Sequence, residues 1–163
     1  MFKILGFYKF INITKLKKHK QELQLFMAKN EVRGVLILAK EGINGAISGK
    51  KNTIAFIEKK ILKQFNFKYF DSRNNSSSKF QPFHKAKVKI KKEVVPFGLS
   101  LNKKSKKKNI YVAPDKWNEL INKKTTLLID ARKPFEHKVG TFRGASNPNV
   151  NNFRDFPKYL NKV

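Results

Sequence analysis

At 163 residues and 19.0 kDa the chain can hold one ordinary domain or two small ones, and a 40% hydrophobic content with 15 phenylalanines can fill a core. It contains no cysteine, which excludes disulfides, thiolate metal sites and a cysteine nucleophile within these residues. Lys and Arg total 37 against 11 Asp and Glu, a formal charge of +26, and such an excess of base points to a polyanionic partner.

A coding bias toward AT explains the choice of lysine over arginine, which is confined to Arg33, Arg73, Arg132, Arg143 and Arg154. It does not explain the shortage of acids, because glutamate codons suit such a bias about as well. Nucleic acid is therefore the expected partner. A membrane surface is not, since no Lys-rich amphipathic helix with a Trp or Leu face stands out. The N-terminus, MFKILGFYKFINIT, is interrupted by Lys3 and Lys9 and lacks the apolar run of a signal peptide. No stretch approaches the roughly 20 apolar residues that span a bilayer. A soluble, cytoplasmic protein is expected. His19, His84 and His137 are scattered, so no metal site is expected.

In chain order, residues 2–11 alternate loosely and suit a first strand. Asn12 or Thr14 can cap a helix in which Leu16, Leu23, Phe26 and Met27 recur at helical spacing. Val35–Ala39 is a short apolar run, hence a buried strand. EGING, Glu41–Gly45, supplies a turn, and Ala46–Ser48 begins the return strand. Ile54, Ile57, Ile61 and Phe65 mark a second amphipathic helix, and the Ser/Asn-rich stretch Asp71–Lys79 reads as loop. In KAKVKIKK, Ala86, Val88 and Ile90 face one way while Lys85, Lys87, Lys89 and Lys91 face the other. With this as the last strand, the order β-α-β-β-α-β predicts a ferredoxin-like sheet, helices on one face and lysines on the open one.

A charged connector, Ser100–Asn109, follows. Ile110–Val112 is a strand candidate. Pro114 and Asp115 suit the first turn of a helix carrying Trp117, Leu120 and Ile121. Leu127–Ile129 reads as a buried strand, and alternation of strand and helix implies an α/β unit with a parallel sheet.

Three constellations carry chemistry, and each also has a plain architectural reading. The lysine row could simply be a solvated strand face. As a functional element it sets cations about 6.6–7 Å apart, close to the phosphate spacing of extended nucleic acid, and reads no base identity. LAKEGINGAISG could be only a hairpin, with Lys40 and Glu41 as polar groups at its rim. Asp130 and Arg132, with Glu136 after them and GTFRGA beyond, can form an ion-pair network that braces a loop. The C-terminal end of a parallel strand is also where sites form, so these residues are placed to support a nucleophile that comes from elsewhere.

DARKPFEHKVGTFRGASNP resembles the first half of a rhodanese domain. GFYKF, GVLILAKEGINGAISG, FHKAKVKIKKEVVPFG, YVAPDKWNELI and NPNVNNFRDFPKYL resemble, in order, segments of the tRNA uridine hydroxylase family. The resemblance covers nearly the whole chain. It implies an α/β (α+β) protein: a ferredoxin-like or acylphosphatase-like βαββαβ domain over residues 1–99, a basic linker over 100–109, and an incomplete rhodanese α/β domain over 110–163. It implies oxygen-dependent conversion of the tRNA wobble uridine to 5-hydroxyuridine, with molecular oxygen as co-substrate and no metal site or further cofactor specified.

The family's nucleophilic cysteine would lie beyond Val163, so the chain is expected to be truncated before its catalytic loop and inactive alone. By position, Asp130, Arg132 and Glu136 match the family's loop-bracing residues, and Arg143 is grouped with them; with tRNA as the implied partner, the residues read as its contacts are Lys40, Asn44, Lys85, Lys87, Lys89 and Lys91. A second chain carrying the rest of the rhodanese domain is the other implied partner. The rivals are a non-catalytic RNA-binding or partner-binding module and the remnant of a rhodanese sulfurtransferase, whose chemistry needs a persulfide-carrying cysteine. With about two or three strands of a sheet meant to be covered on both faces, residues 110–163 are expected to be loosely ordered or to rest on the first domain.

Overall fold

The computed structural model describes residues 1–95 and 112–162, and the chain divides into two units between Val95 and Pro96. The first unit opens with β1 (Phe2–Phe10), which turns Leu5 and Phe7 to one side. Helix α1 (Leu16–Lys29) follows, with Leu23 and Met27 buried at helical spacing. Neither Asn12 nor Thr14 caps it. The residue at the cap position is Lys15, in the left-handed region at φ 51°, and it makes no side-chain cap bond. Strands β2 (Arg33–Ala39) and β3 (Gly42–Gly49) form a hairpin, and α2 (Lys51–Gln64) buries Ile54, Ile57 and Ile61. Strands β4 (Ser72–Ser78) and β5 (Ala86–Ile90) complete a five-stranded sheet of order β4-β1-β3-β2-β5.

The first four strands and both helices make the expected βαββαβ unit, an α+β arrangement with the helices on one face. The register aligns Leu5 with Ile47 and Leu38 with Ile43, so one face of the sheet collects the apolar side chains. These pack with Leu23, Met27, Ile57 and Ile61 into a single core. Burial of each such side chain is worth about 1.5–3 kcal/mol.

The sequence reading misassigned the fourth strand. It is SRNNSSS, whose composition predicts loop, and it pairs antiparallel with β1 from Phe2↔Ser78 to Tyr8↔Ser72. An edge strand can be held through its backbone alone, so it carries no apolar alternation to detect. The lysine-bearing strand is instead a fifth, at the opposite edge and parallel to β2. On its outer side Gln24 of α1 donates from Nε2 to the Ala86 carbonyl at 3.0 Å and accepts at Oε1 from the Val88 N–H at 2.8 Å.

The hairpin also differs from expectation. Ala39 pairs with Gly42, so the turn is Lys40–Glu41, and Asn44 and Gly45 lie within β3. The glycines serve close approach. A Cβ on Gly42 (φ +156°) would run into the Lys9 carbonyl, and one on Gly45 into the Leu36 side chain.

In the second unit α3 (Pro114–Ile121) starts with Pro114 in its first turn, as anticipated. Helix α4 (Pro134–Val139) and, after a 3₁₀ turn at Phe153–Asp155, α5 (Phe156–Leu160) are short. Leu127–Ile129 is not a buried strand. Leu127 is 56% exposed, and among the described residues Ile129 forms only an isolated parallel bridge with Ser146. A lone pairing leaves such a segment without the neighbours that cover a parallel strand. The connector Ser100–Asn109 lies outside the described residues, as do Ile110 and Tyr111 of the strand candidate, while Val112 is not in a strand.

Candidate nucleic-acid interface

Strand β5 sorts its residues by chemistry. Val88 is buried against the helices, whereas Lys87 and Lys89 are exposed on the helix-free face, opposite Val35 and Ile37 of β2. Lys85 and Lys91 flank the strand and are exposed too. The Lys85 carbonyl accepts from the Gly34 N–H and the Lys91 N–H donates to the Leu38 carbonyl, both at 2.9 Å. Each end of the row is thereby tied to β2. The strand backbone is fixed while the four exposed lysine side chains extend into solvent, a set of cations suited to phosphate contacts whose strength depends on salt.

Asn44 and Lys40 do not join that line. The Asn44 side chain donates from Nδ2 to the Val94 carbonyl at 3.3 Å, while Glu41 accepts the Val94 N–H at 2.8 Å. The pair from the EGING segment thus grips one residue of the chain leaving β5 through both its N–H and its carbonyl, and Val94 is buried there. Lys40, exposed at the hairpin turn, borders a pocket of about 830 Å³ with Lys15, Lys17 and Lys18 and the apolar Ile13 and Ile90. The first turn of α1 contains no acidic residue to offset these charges. The sequence reading missed this second cluster because its members come from α1 and a distant turn.

In the second unit Arg132 forks onto Asp130, with Nε to Oδ1 at 2.9 Å and Nη2 to Oδ2 at 2.7 Å. The Arg132 N–H and the Thr141 hydroxyl donate to the same carboxylate, and Arg132 also reaches the Gly140 carbonyl at 2.6 Å. The guanidinium, then the backbone N–H and the hydroxyl, hold the Asp130 carboxyl well below the usual carboxylate range. Asn147 fastens the loop from outside, donating from Nδ2 to the Asp130 and Arg132 carbonyls at 2.8 Å each.

Glu136 does not join the fork. Its carboxylate accepts the Lys133 N–H at 3.3 Å at the start of α4. Arg143 is exposed and has no hydrogen bond or ion pair among the described residues. Thr141 and Asn147 were not singled out from the sequence, although Asn before Pro is a turn signal.

The fork borders a pocket of about 470 Å³ with Trp117, Leu128 and Phe142, a volume suited to small ligands. Trp117 and Phe142 have ring centroids 5.2 Å apart, and the buried Trp117 Nε1 has no acceptor among the described residues. Also among the described residues, no group of three or more His, Asp and Glu side chains is disposed to hold a metal ion. No helix there is long and apolar enough to cross a membrane.

Residues 2–94, more than half of the chain, match the family described as the UPF0176 acylphosphatase-like domain. The chain belongs to this UPF0176 family. A tRNA uridine(34) hydroxylase of Pelagibacter ubique is 60% identical over 163 residues, 100% of this chain and 54% of that protein. One of Bartonella bacilliformis is 36% identical over 159 residues, 98% of this chain and 52% of that protein. This UPF0176 member thus spans about half the length of the curated relatives it matches. Among solved structures, acylphosphatase from Bacillus subtilis aligns with a TM-score of 0.40 and 10% identity, over 56% of this chain and 100% of that one.

Proposed function

We propose that these residues are the RNA-facing part of a tRNA uridine(34) hydroxylase, acting in the cytoplasm with molecular oxygen as co-substrate of the whole enzyme. The observation that carries the reading is the row of exposed lysines on β5, Lys85 to Lys91, fixed at both ends to β2. The cluster of Lys15, Lys17, Lys18 and Lys40 extends the positive surface, and relatives named for tRNA hydroxylation supply the substrate class. The test is tRNA binding measured across a salt series. Lys87→Ala with Lys89→Ala should flatten the dependence of log K on log salt by about 1.5, while folding stability changes by less than about 0.5 kcal/mol. An unchanged slope removes β5 from the RNA face.

With no cysteine in the sequence, binding without modification is the expected behaviour of the chain alone. A gain of one oxygen at the wobble uridine, seen by mass spectrometry with this chain as sole protein, would overturn that. The second unit is proposed as part of a rhodanese-type domain, in which the Asp130–Arg132 fork braces the loop bearing the reactive group. Exposed Leu127, Phe135, Val139 and Phe142 support completion of this unit by further polypeptide. Adding a polypeptide that carries the remainder of the Pelagibacter relative should restore hydroxylation if that is so.

A further inference from the structure

On the outer side of the helical layer, away from the β5 lysines, α1 and α2 leave a groove of about 650 Å³. Its floor is aromatic: Phe26 and Phe56 have ring centroids 5.3 Å apart, inclined at 51°. Phe56 is 58% exposed, although it lies on a helix whose other large apolar residues point into the core. Lys59, Lys60 and Lys63 border the rings, and the Lys60 ammonium lies 5.3 Å from the Phe26 centroid. Among the described residues no carboxylate lies within ion-pair distance of these three lysines.

Gln64 closes one end of the groove. Its Nε2 is committed to His19 Nδ1 and Glu22 Oε2, each at 2.9 Å, while its buried Oε1 has no donor among the described residues. A buried acceptor without a partner is the exception in folded proteins.

We infer that this groove binds single-stranded RNA, with one base stacked on Phe56 and the flanking phosphates on Lys59 and Lys63. Each part selects for that ligand. The exposed ring offers a stacking surface that a duplex, whose bases are already stacked, cannot use. The lysines supply the charge complementarity to the phosphates. Among the described residues Glu22 is the one acidic side chain bordering the groove, and its Oε2 already accepts from Gln64. The inference rests on the tRNA reading above for the kind of polymer and adds a second site on the opposite face. There an unpaired segment would lie, while the β5 row follows the backbone elsewhere.

The experiment uses the full chain, a labelled oligoadenylate of about ten nucleotides, an RNA duplex of the same length, and tRNA, all read by fluorescence anisotropy. The chain should bind the oligoadenylate in preference to the duplex. Phe56→Ala should weaken oligoadenylate binding at least about fivefold, Phe56→Trp should restore it, and thermal unfolding should stay unchanged. Lys59→Gln with Lys63→Gln should lower the salt slope on oligoadenylate by about 1.4.

Unchanged oligoadenylate affinity in Phe56→Ala overturns the inference. So does a wild-type chain that ignores the oligoadenylate. Loss of a dimer in Phe56→Ala with RNA affinity intact assigns the groove to self-association and overturns it as well. The two RNA readings fail separately. If the Lys87 and Lys89 substitutions weaken tRNA binding and Phe56→Ala changes nothing, only the groove falls. If Phe56→Ala weakens oligoadenylate binding and the β5 substitutions leave tRNA untouched, only the β5 assignment falls.

Discussion

The two units of this chain are built on opposite economies. All the buried apolar side chains described belong to residues 1–95, where one face of a five-stranded sheet and two helices enclose them. Residues 112–162 include no fully buried side chain, and Phe135, Val139 and Phe142 are more than half exposed at 63%, 87% and 57%. What gives the second unit definite local shape is polar and short in range: the fork of Arg132 on Asp130, the reach to Gly140, and the clasp of Asn147. The lesson is that a defined loop does not require a defined core. A hydrogen-bonded brace can set the geometry of a few residues, whereas cooperative stability needs area removed from water.

The sharpest way to break the contrast is to empty the same kind of side chain in each unit. Leu36→Ala, in the fully buried core, should cost about 2–5 kcal/mol in urea unfolding followed by far-ultraviolet circular dichroism. Leu128→Ala should shift that main transition by less than about 1 kcal/mol. Equal losses would show that the second unit shares the core of the first. A smaller effect is expected from Gly42→Ala, which sets a methyl group against the Lys9 carbonyl. About 1–3 kcal/mol should be lost in the same assay, with the transition of the first unit alone affected. Wild-type stability in that variant would mean that β1 and β3 can separate at little cost.

The least global effect is that of pH. The Asp130 carboxyl is depressed in the folded state, so its contribution is complete above the ordinary aspartate value of about 3.9 and fades as pH falls below it. Trp117 is the sole tryptophan, and it stacks on Phe142 beside the fork, so its fluorescence reports this unit directly. Emission should hold steady from about pH 7 to pH 4 and change below that, and Asp130→Asn should show the changed spectrum already at neutral pH. A pH-independent spectrum shared by both proteins would dissociate the brace from the pocket.

The same contrast explains what could be read from the sequence. Ile54, Ile57 and Ile61 announced α2 because a helix with one buried face must repeat its apolar residues, and Val88 announced the inner side of β5 for the equivalent reason. SRNNSSS announced nothing, since an edge strand needs only peptide groups. EGING misled because glycine marks both turns and close contacts, and here it marks contacts. Asp130 and Arg132 were visible as neighbours, but Thr141 and Asn147 reach them across a fold that local pattern does not encode. The Phe26–Phe56 groove was hidden for the same reason, because its walls come from separate helices.

Gln24 carries a consequence beyond the two bonds it makes with β5. Along a strand the peptide groups alternate in direction, and so do the side chains. The amide of Gln24 can meet the Ala86 carbonyl and the Val88 N–H only when the even-numbered residues of β5 turn their peptide groups outward. A slip by one residue would offer Gln24 the same kind of backbone groups from the odd-numbered residues, so it is the burial of Val88 against the exposure of Lys87 and Lys89 that sets the register. What Gln24 does is occupy outward peptide groups at the free edge of the sheet, the groups through which an edge strand pairs with another chain. The strand that displays the lysines is thereby closed at its open side by an uncharged side chain of the neighbouring helix.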